Sequence, residues 1–122
     1  MMHIDFESQV PIYVQIAEMI KNDIIKGIFE EGSQVPSTTE ISVNFKINPA
    51  TVAKGYNLLV EEGIIYKKRG VGMFVCKDAK ATLIEIRRED FYNNYIKALL
   101  VEAEKLGFSK SEVMDMMKGE KR

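Results

Sequence analysis

The sequence predicts a mainly α-helical chain carrying one small β-hairpin, and three observations predict it. Two short helices open on strong start signals, separated by a break of only two residues, in the middle of the chain. Two short apolar runs around a glycine-containing turn follow at once. In the last third, apolar residues return at helical spacing.

In the first element, Pro11 suits a first helical turn, where a missing N–H costs nothing. From there Ile12, Ile16, Met19, Ile20, Ile24 and Ile28 recur at helical spacing. Gly27 is a natural residue just past a helix end, so a helix is expected from Pro11 to Lys26. Glu30-Glu31-Gly32 then makes a turn. Ser37-Thr38-Thr39-Glu40 is an S-x-x-E capping box placed directly after Pro36, opening a short helix with Ile41 and Phe45 facing inward. Asn48-Pro49 offers a preferred N-cap and a preferred first residue, so a third helix starts there. Val52, Tyr56, Leu59 and Val60 are expected on its buried side, with Gly63 at its end.

Two short helices joined by so tight a turn match a helix-turn-helix. Ile64–Lys68 and Met73–Val75 form the hairpin, with Arg69-Gly70-Val71-Gly72 as its turn. Helix, helix-turn-helix and hairpin in this order make a winged helix over residues 1–76. Residues 77–88 read as a polar connection with a short extended piece at Leu83–Ile86. A fourth helix is expected from Glu89 to Leu106, with Tyr92, Tyr95, Ile96, Leu99, Ala103 and Leu106 as its apolar stripe. Ser109-Lys110-Ser111-Glu112 is a second capping box, opening a last helix with Val113, Met116 and Met117. Two such helices cannot build a core alone, so residues 89–122 are expected to pack on the winged helix, on another copy, or on both.

The chain has 122 residues, 46% apolar and 29% charged, which gives room for one real core. That length leaves no space for a compact binding domain beside a full-sized catalytic or sensing domain. The 17 basic and 18 acidic residues nearly cancel. They are unevenly spread: residues 1–32 are net acidic, while residues 33–76 hold five basic and three acidic side chains. A neutral total leaves nucleic-acid binding open, because the gathering of positive charge on one face decides it. The lone Cys76 closes no internal disulfide, and neither a signal-peptide pattern nor a membrane-length apolar run is visible. A soluble, cytoplasmic protein is expected, without a membrane partner.

Two constellations carry chemistry. In a helix-turn-helix the N-terminal residues of the second helix enter the DNA major groove, and Asn48, Thr51 and Lys54 stand there as donors. The plainer alternative makes Asn48 only a cap and Lys54 only a solvated charge. Lys67-Lys68-Arg69-Gly70 places three cations at a hairpin tip, where they can meet phosphate or a groove. The alternative is that they only discourage edge-to-edge strand pairing.

Catalysis has little support. The single His3 stands beside a chain end, no zinc pattern exists, and Gly70-Val71-Gly72 lacks the rest of a dinucleotide loop. Cys76 reads as a small core residue, and Met114, Met116 and Met117 as gap-fillers. Neither an enzyme nor a cofactor is expected.

With these residues on the page, the chain resembles the GntR family of bacterial transcription regulators. Ile4-Asp5-Phe6 and Pro11-Ile12-Tyr13-Val14-Gln15-Ile16 resemble that family's opening helix. Gly32-Ser33-Gln34-Val35-Pro36-Ser37 resembles its G-x-x-L-P-S turn, with Val35 in place of Leu. Ile47–Val52 and Glu62–Val75 resemble its recognition helix and wing. Residues beyond 76 are too few for the effector domains of larger members, and a two-helix tail resembles the short YtrA branch.

The resemblance implies a homodimeric, sequence-specific repressor of a near-palindromic operator, its tail dimerising the protein. Members of that branch often control membrane-transporter operons. It further implies DNA contacts at Ser37, Thr39, Asn48, Pro49, Ala50, Thr51, Lys54, Lys68, Arg69 and Gly70. The family usually has Arg where Thr39 stands, which replaces a bidentate fork by one short hydroxyl. Tyr92, Tyr95, Ile96, Leu99, Ala103 and Leu106 are the expected dimerisation residues. The expected partners are an operator duplex and a second copy; a small-molecule effector is left open. A winged helix used only for protein interaction is the competing reading.

Overall fold

The computed structural model describes residues 3–119. Its elements are α1 (Ile12–Ile25), α2 (Thr38–Phe45), α3 (Pro49–Glu61), β1 (Ile65–Lys68), β2 (Gly72–Val75), α4 (Ala79–Phe91), a π-helical turn (Tyr92–Ile96), α5 (Lys97–Lys105) and α6 (Lys110–Met117). The chain divides into two compact units, one up to Ile84 and one from Glu85 onward, the boundary falling within α4.

In the first unit, α1 buries Ile16, Ala17, Met19, Ile20 and Ile24 along one face. It ends where Gly27 takes the left-handed conformation and the amides of Ile28 and Phe29 donate to the Asp23 carbonyl. Ile28 therefore lies past the helix and is exposed, not on the apolar stripe. The Gln15 side chain ties the preceding segment to α1, accepting from the Asp5 amide and donating to the Asp5 and Val10 carbonyls.

The capping box that opens α2 is complete. The Ser37 hydroxyl accepts from the Glu40 amide at 3.0 Å, and the Glu40 carboxylate accepts from the Ser37 amide at 3.2 Å. Lys46 closes α2 in the left-handed region at φ 54°, an uncommon place for a residue with a Cβ. The turn is held by Ile47 N–H to the Ser42 carbonyl and by the Ser42 hydroxyl to the Ile47 carbonyl. Asn48 then caps α3, its Oδ1 accepting from the Ala50 amide at 2.8 Å.

Helix α3 packs closely on α1 at Gly55, where a Cβ would stand 2.8 Å from the Tyr13 carbonyl oxygen. Lys21 on α1 adds an ion pair to Glu62, just past α3, at 2.7 Å. Val52, Tyr56 and Leu59 are buried as expected, but Val60 is 40% exposed. Leu59 already fills the inward position, and the next residue is rotated away from it by the helical geometry.

Strands β1 and β2 pair antiparallel with Ile65 opposite Val75 and Lys68 opposite Gly72. The segment before α2 runs along the other edge of β2, with Val35 N–H donating to Met73 and Val75 N–H donating to Ser33. The hairpin is thereby sewn to the start of the helix-turn-helix. Ile16, Ile20, Ile24, Ile41, Val52, Tyr56, Leu59, Ile64, Ile65 and Val75 form the center of one core, which also holds Ala79 and Leu83.

Residues 79–91 correct the sequence reading. The extended piece expected at Leu83–Ile86 is helical, and helix begins at Ala79, ten residues before Glu89. Good helix formers fill the segment, and Ala79 and Leu83, four residues apart, reach the core on one side. With so many charges elsewhere, two buried positions make too thin a stripe to be seen as a periodicity.

In the second unit, the π-helical turn and α5 continue directly from α4, and α6 opens on the expected capping box of Ser109 and Glu112. Ala103 and Val113 are buried between α5 and α6, and the Phe108 amide donates to the Ala103 carbonyl. From the expected stripe, Tyr92, Tyr95, Leu99 and Leu106 are exposed and Ile96 is half-buried. Among the described residues no helix is long and apolar enough to cross a membrane.

Candidate nucleic-acid interface

The N-terminal half of α3 is the centre of the site. Its inward face is Val52, Gly55, Tyr56 and Leu59; the opposite face carries Ala50, Lys54 and Asn57, all exposed and one turn apart. Asn48 and Pro49 stand exposed at its start, and Thr51 is half-buried. Because Asn48 Oδ1 is held by the Ala50 amide, the Asn48 NH2 group is what that side chain can offer a base or phosphate. Lys54 extends its ammonium over the Tyr13 ring of α1, 4.2 Å from the ring centre.

Helix α2 brings its N-terminus beside α3. Tyr56, buried in α3, donates its hydroxyl to the Pro36 carbonyl at 2.5 Å, fixing the turn that delivers Ser37. Burial, with the Glu40 carboxylate adding to it, holds that hydroxyl far above the ordinary tyrosine range. It therefore stays a donor at any working pH. Ser37 is half-buried and Thr39 is exposed in the first turn.

The wing is positioned by its own aromatics. Tyr66 and Phe74 face each other across the strands with ring centres 5.9 Å apart, and Lys68 lies over the Phe74 ring at 4.6 Å. Lys67, Arg69 and Gly70 are exposed. Gly70 turns the chain at φ 77°, and a Cβ on Gly72, at φ 146°, would run into the Gln34 side-chain amide. That amide donates to the Val71 carbonyl, so Gln34 braces the tip from below.

One groove joins these pieces. Ser37 and Thr38 from α2, Ala53, Tyr56, Asn57 and Val60 from α3, and Lys67 to Met73 from the hairpin line it, Arg69 excepted. The structure thus brings Ser37, Lys68 and Gly70 together. Thr39, Asn48, Pro49, Ala50, Thr51, Lys54 and Arg69 lie outside that lining. Asn57 is missed by the sequence reading, although its spacing of three from Lys54 places it on the same helical face. Burial pushes the Cys76 thiol up, away from the reactive thiolate.

The six residues expected to dimerise the protein all belong to the second unit; Leu99, Ala103 and Leu106 line an apolar cleft with Phe108, Val113, Met116 and Met117, while Tyr92, Tyr95 and Ile96 lie outside that lining.

Known proteins resemble this chain in sequence and fold. Residues 12–75, more than half of the chain, match the bacterial regulatory proteins of the gntR family. The HTH-type transcriptional repressor YtrA of Bacillus subtilis (strain 168) is 35% identical over 118 residues, covering 97% of this chain and 90% of the relative. A GntR family transcriptional regulator from Listeria monocytogenes superposes with a TM-score of 0.71 at 29% identity, over 95% of this chain and all of that one. The DNA-binding domain of AraR, solved in complex with operator ORX1, superposes with a TM-score of 0.57 at 26% identity, over 62% of this chain and 96% of that one. The chain belongs to the GntR family and is a winged-helix, DNA-binding transcription regulator.

Proposed function

We propose that the protein is a cytoplasmic repressor that binds a near-palindromic operator as a homodimer. Residues 1–76 hold the DNA, 77–88 connect through the first turns of α4, with Ala79 and Leu83 packed in the first unit's core, and 89–122 join two copies. The observation that carries this reading is the groove that joins the Ser37 turn, Asn57 of α3 and the wing cations Lys67 and Lys68 in the first unit, next to the exposed Asn48 and Lys54 of α3. Similarity to a named repressor over nearly the whole chain supports the direction of regulation. Asn48, Thr51 and Lys54 read base edges or adjacent phosphates, with Pro49 and Ala50 close to the groove wall. Ser37 and Thr39 hold the phosphate backbone beside α2, and Lys68, Arg69 and Gly70 meet phosphate or the minor groove. Control of a membrane-transporter operon extends the same similarity to the short members of the family.

Dimerisation is supported by the second unit, where Leu106 is 66% exposed in the apolar cleft and Tyr95, in the preceding π-helical turn, is 65% exposed. Small monomers rarely leave such contiguous apolar surface in water. An isologous pair presents two α3 helices, hence the near-palindrome.

The test is the salt dependence of duplex binding, for wild type and for Lys68→Ala with Arg69→Ala. Each lost phosphate contact flattens the log–log slope by about 0.9. An unchanged slope removes the wing from the interface. Failure of the wild type to bind any duplex leaves the winged helix as a protein-interaction module. Equilibrium sedimentation tests the dimer: a single-chain mass at micromolar concentration refutes it. Sequencing the genomic fragments that co-purify identifies the operator and the genes beside it.

A further inference from the structure

We propose that Tyr13 is a positioning residue of the DNA interface: its ring holds the Lys54 ammonium in place on the exposed face of α3. This deepens the reading of α3 as the DNA-facing helix and rests on it.

Lys54 carries its charge on four rotatable bonds, so an unrestrained ammonium loses much freedom when it docks on a phosphate or base. Here the ammonium already lies 4.2 Å from the centre of the Tyr13 ring. A ring face attracts a cation through its quadrupole, and it contacts one side of the ammonium only. Lys54 remains exposed, so its other N–H directions stay open toward DNA.

The ring reaches Lys54 because of the next residue in α3. Gly55 has no Cβ, and the Tyr13 carbonyl oxygen occupies the space one would take, at 2.8 Å from the Cβ position. The first turn of α1 thus comes close enough for its aromatic side chain to lie under the neighbouring lysine. Tyr13, Lys54 and Gly55 act as one device: glycine admits the α1 backbone, and α1 supplies the ring. The wing repeats the principle, with Lys68 at 4.6 Å over Phe74. In each case the cation and the ring that restrains it sit on separate elements of the winged helix, and the cation is exposed.

The experiment is a double-mutant cycle on the full-length chain. The probe is the tightest duplex it retains from a random-sequence library. Tyr13→Leu should weaken binding roughly two- to fivefold, the range expected for losing an exposed cation–π contact. Tyr13→Phe, which keeps the ring, should restore wild-type affinity. Lys54→Met should weaken binding and flatten the salt slope, and adding Tyr13→Leu to it should cost nothing more. Melting of each variant shows whether the fold is retained.

Tyr13→Leu that weakens binding equally with and without Lys54 overturns the proposal, because the ring then acts through the fold. Tyr13→Phe that falls as far as Tyr13→Leu also overturns it, by assigning the effect to the hydroxyl. Tighter binding by Tyr13→Leu overturns it too, since the ring would then withhold the ammonium. An unaffected Lys54→Met removes Lys54 from the interface and the proposal with it. Failure of the wild type to retain any duplex refutes the functional reading itself, a result distinct from all of these.

Discussion

Replacing Gly55 by Ala sets helix propensity against packing. Alanine is the best helix former and glycine among the poorest, so inside α3 the exchange should stabilise by about 1 kcal/mol on propensity alone. The structure opposes this. The new Cβ would stand 2.8 Å from the Tyr13 carbonyl oxygen and 3.2 Å from both Cβ and Cγ2 of Ile16. The nearest of these atoms is backbone, and Ile16 is fully buried, so neither can swing aside. α1 and α3 must separate by a few tenths of an ångström along their main contact. Overpacking of this kind costs about 1–3 kcal/mol. Subtracting the propensity gain leaves a net loss of up to about 2 kcal/mol, centred near 1. Urea unfolding at fixed protein concentration measures it, since association would otherwise shift the midpoint. The midpoint should fall while the slope with denaturant stays constant. A variant more stable than wild type by about 1 kcal/mol would refute the argument, because α3 would then have room for the methyl group.

Tyr56→Phe should destabilise by about 1–3 kcal/mol, because it orphans the Pro36 carbonyl; unfolding against wild type measures it. The pH dependence follows from the same hydroxyl. Its folded pKa is raised, so its contribution is intact below the ordinary tyrosine value of about 10 and is lost as pH rises above that. An alkaline stability profile should therefore fall less steeply in Tyr56→Phe than in wild type. Gly72→Ala should displace the wing by pressing on the Gln34 amide, weakening duplex binding more than it lowers the melting temperature. Leu99→Asp should place unpaired carboxylates in the proposed seam and dissociate the dimer while the winged helix stays folded. Sedimentation should then report a single-chain mass, and affinity for a full palindrome should fall far more than affinity for one half-site.

The sequence by itself determined the elements whose signals are local. Ser37 with Glu40, Ser109 with Glu112, and Asn48 with Pro49 satisfy helix-end amides within two or three residues, so their effect needs no knowledge of the rest of the chain. The hairpin, too, is set by neighbours, and with these pieces in order the winged helix and its family resemblance were legible. Helix α4 was not, because it buries only Ala79 and Leu83 and otherwise reads as charged connection. Nor was the reason for a glycine inside α3, which propensity alone would disfavour; the backbone of α1, some forty residues earlier, is what occupies the missing Cβ. Val60 shows the same limit, since only the packed orientation of α3 decides which of two adjacent apolar residues, Leu59 or Val60, is buried. The candidate site divides the same way. Asn48, Lys54, Lys68 and Arg69 could be named from their types and positions on a helix start and a turn. Tertiary structure decided what holds them: Tyr13 under Lys54, Phe74 under Lys68, Gln34 beneath the wing tip, and Tyr56 on Pro36. Such contacts join residues far apart in the chain, so they leave no periodicity or spacing to read and exist only once the core has brought α1, α3 and the hairpin together.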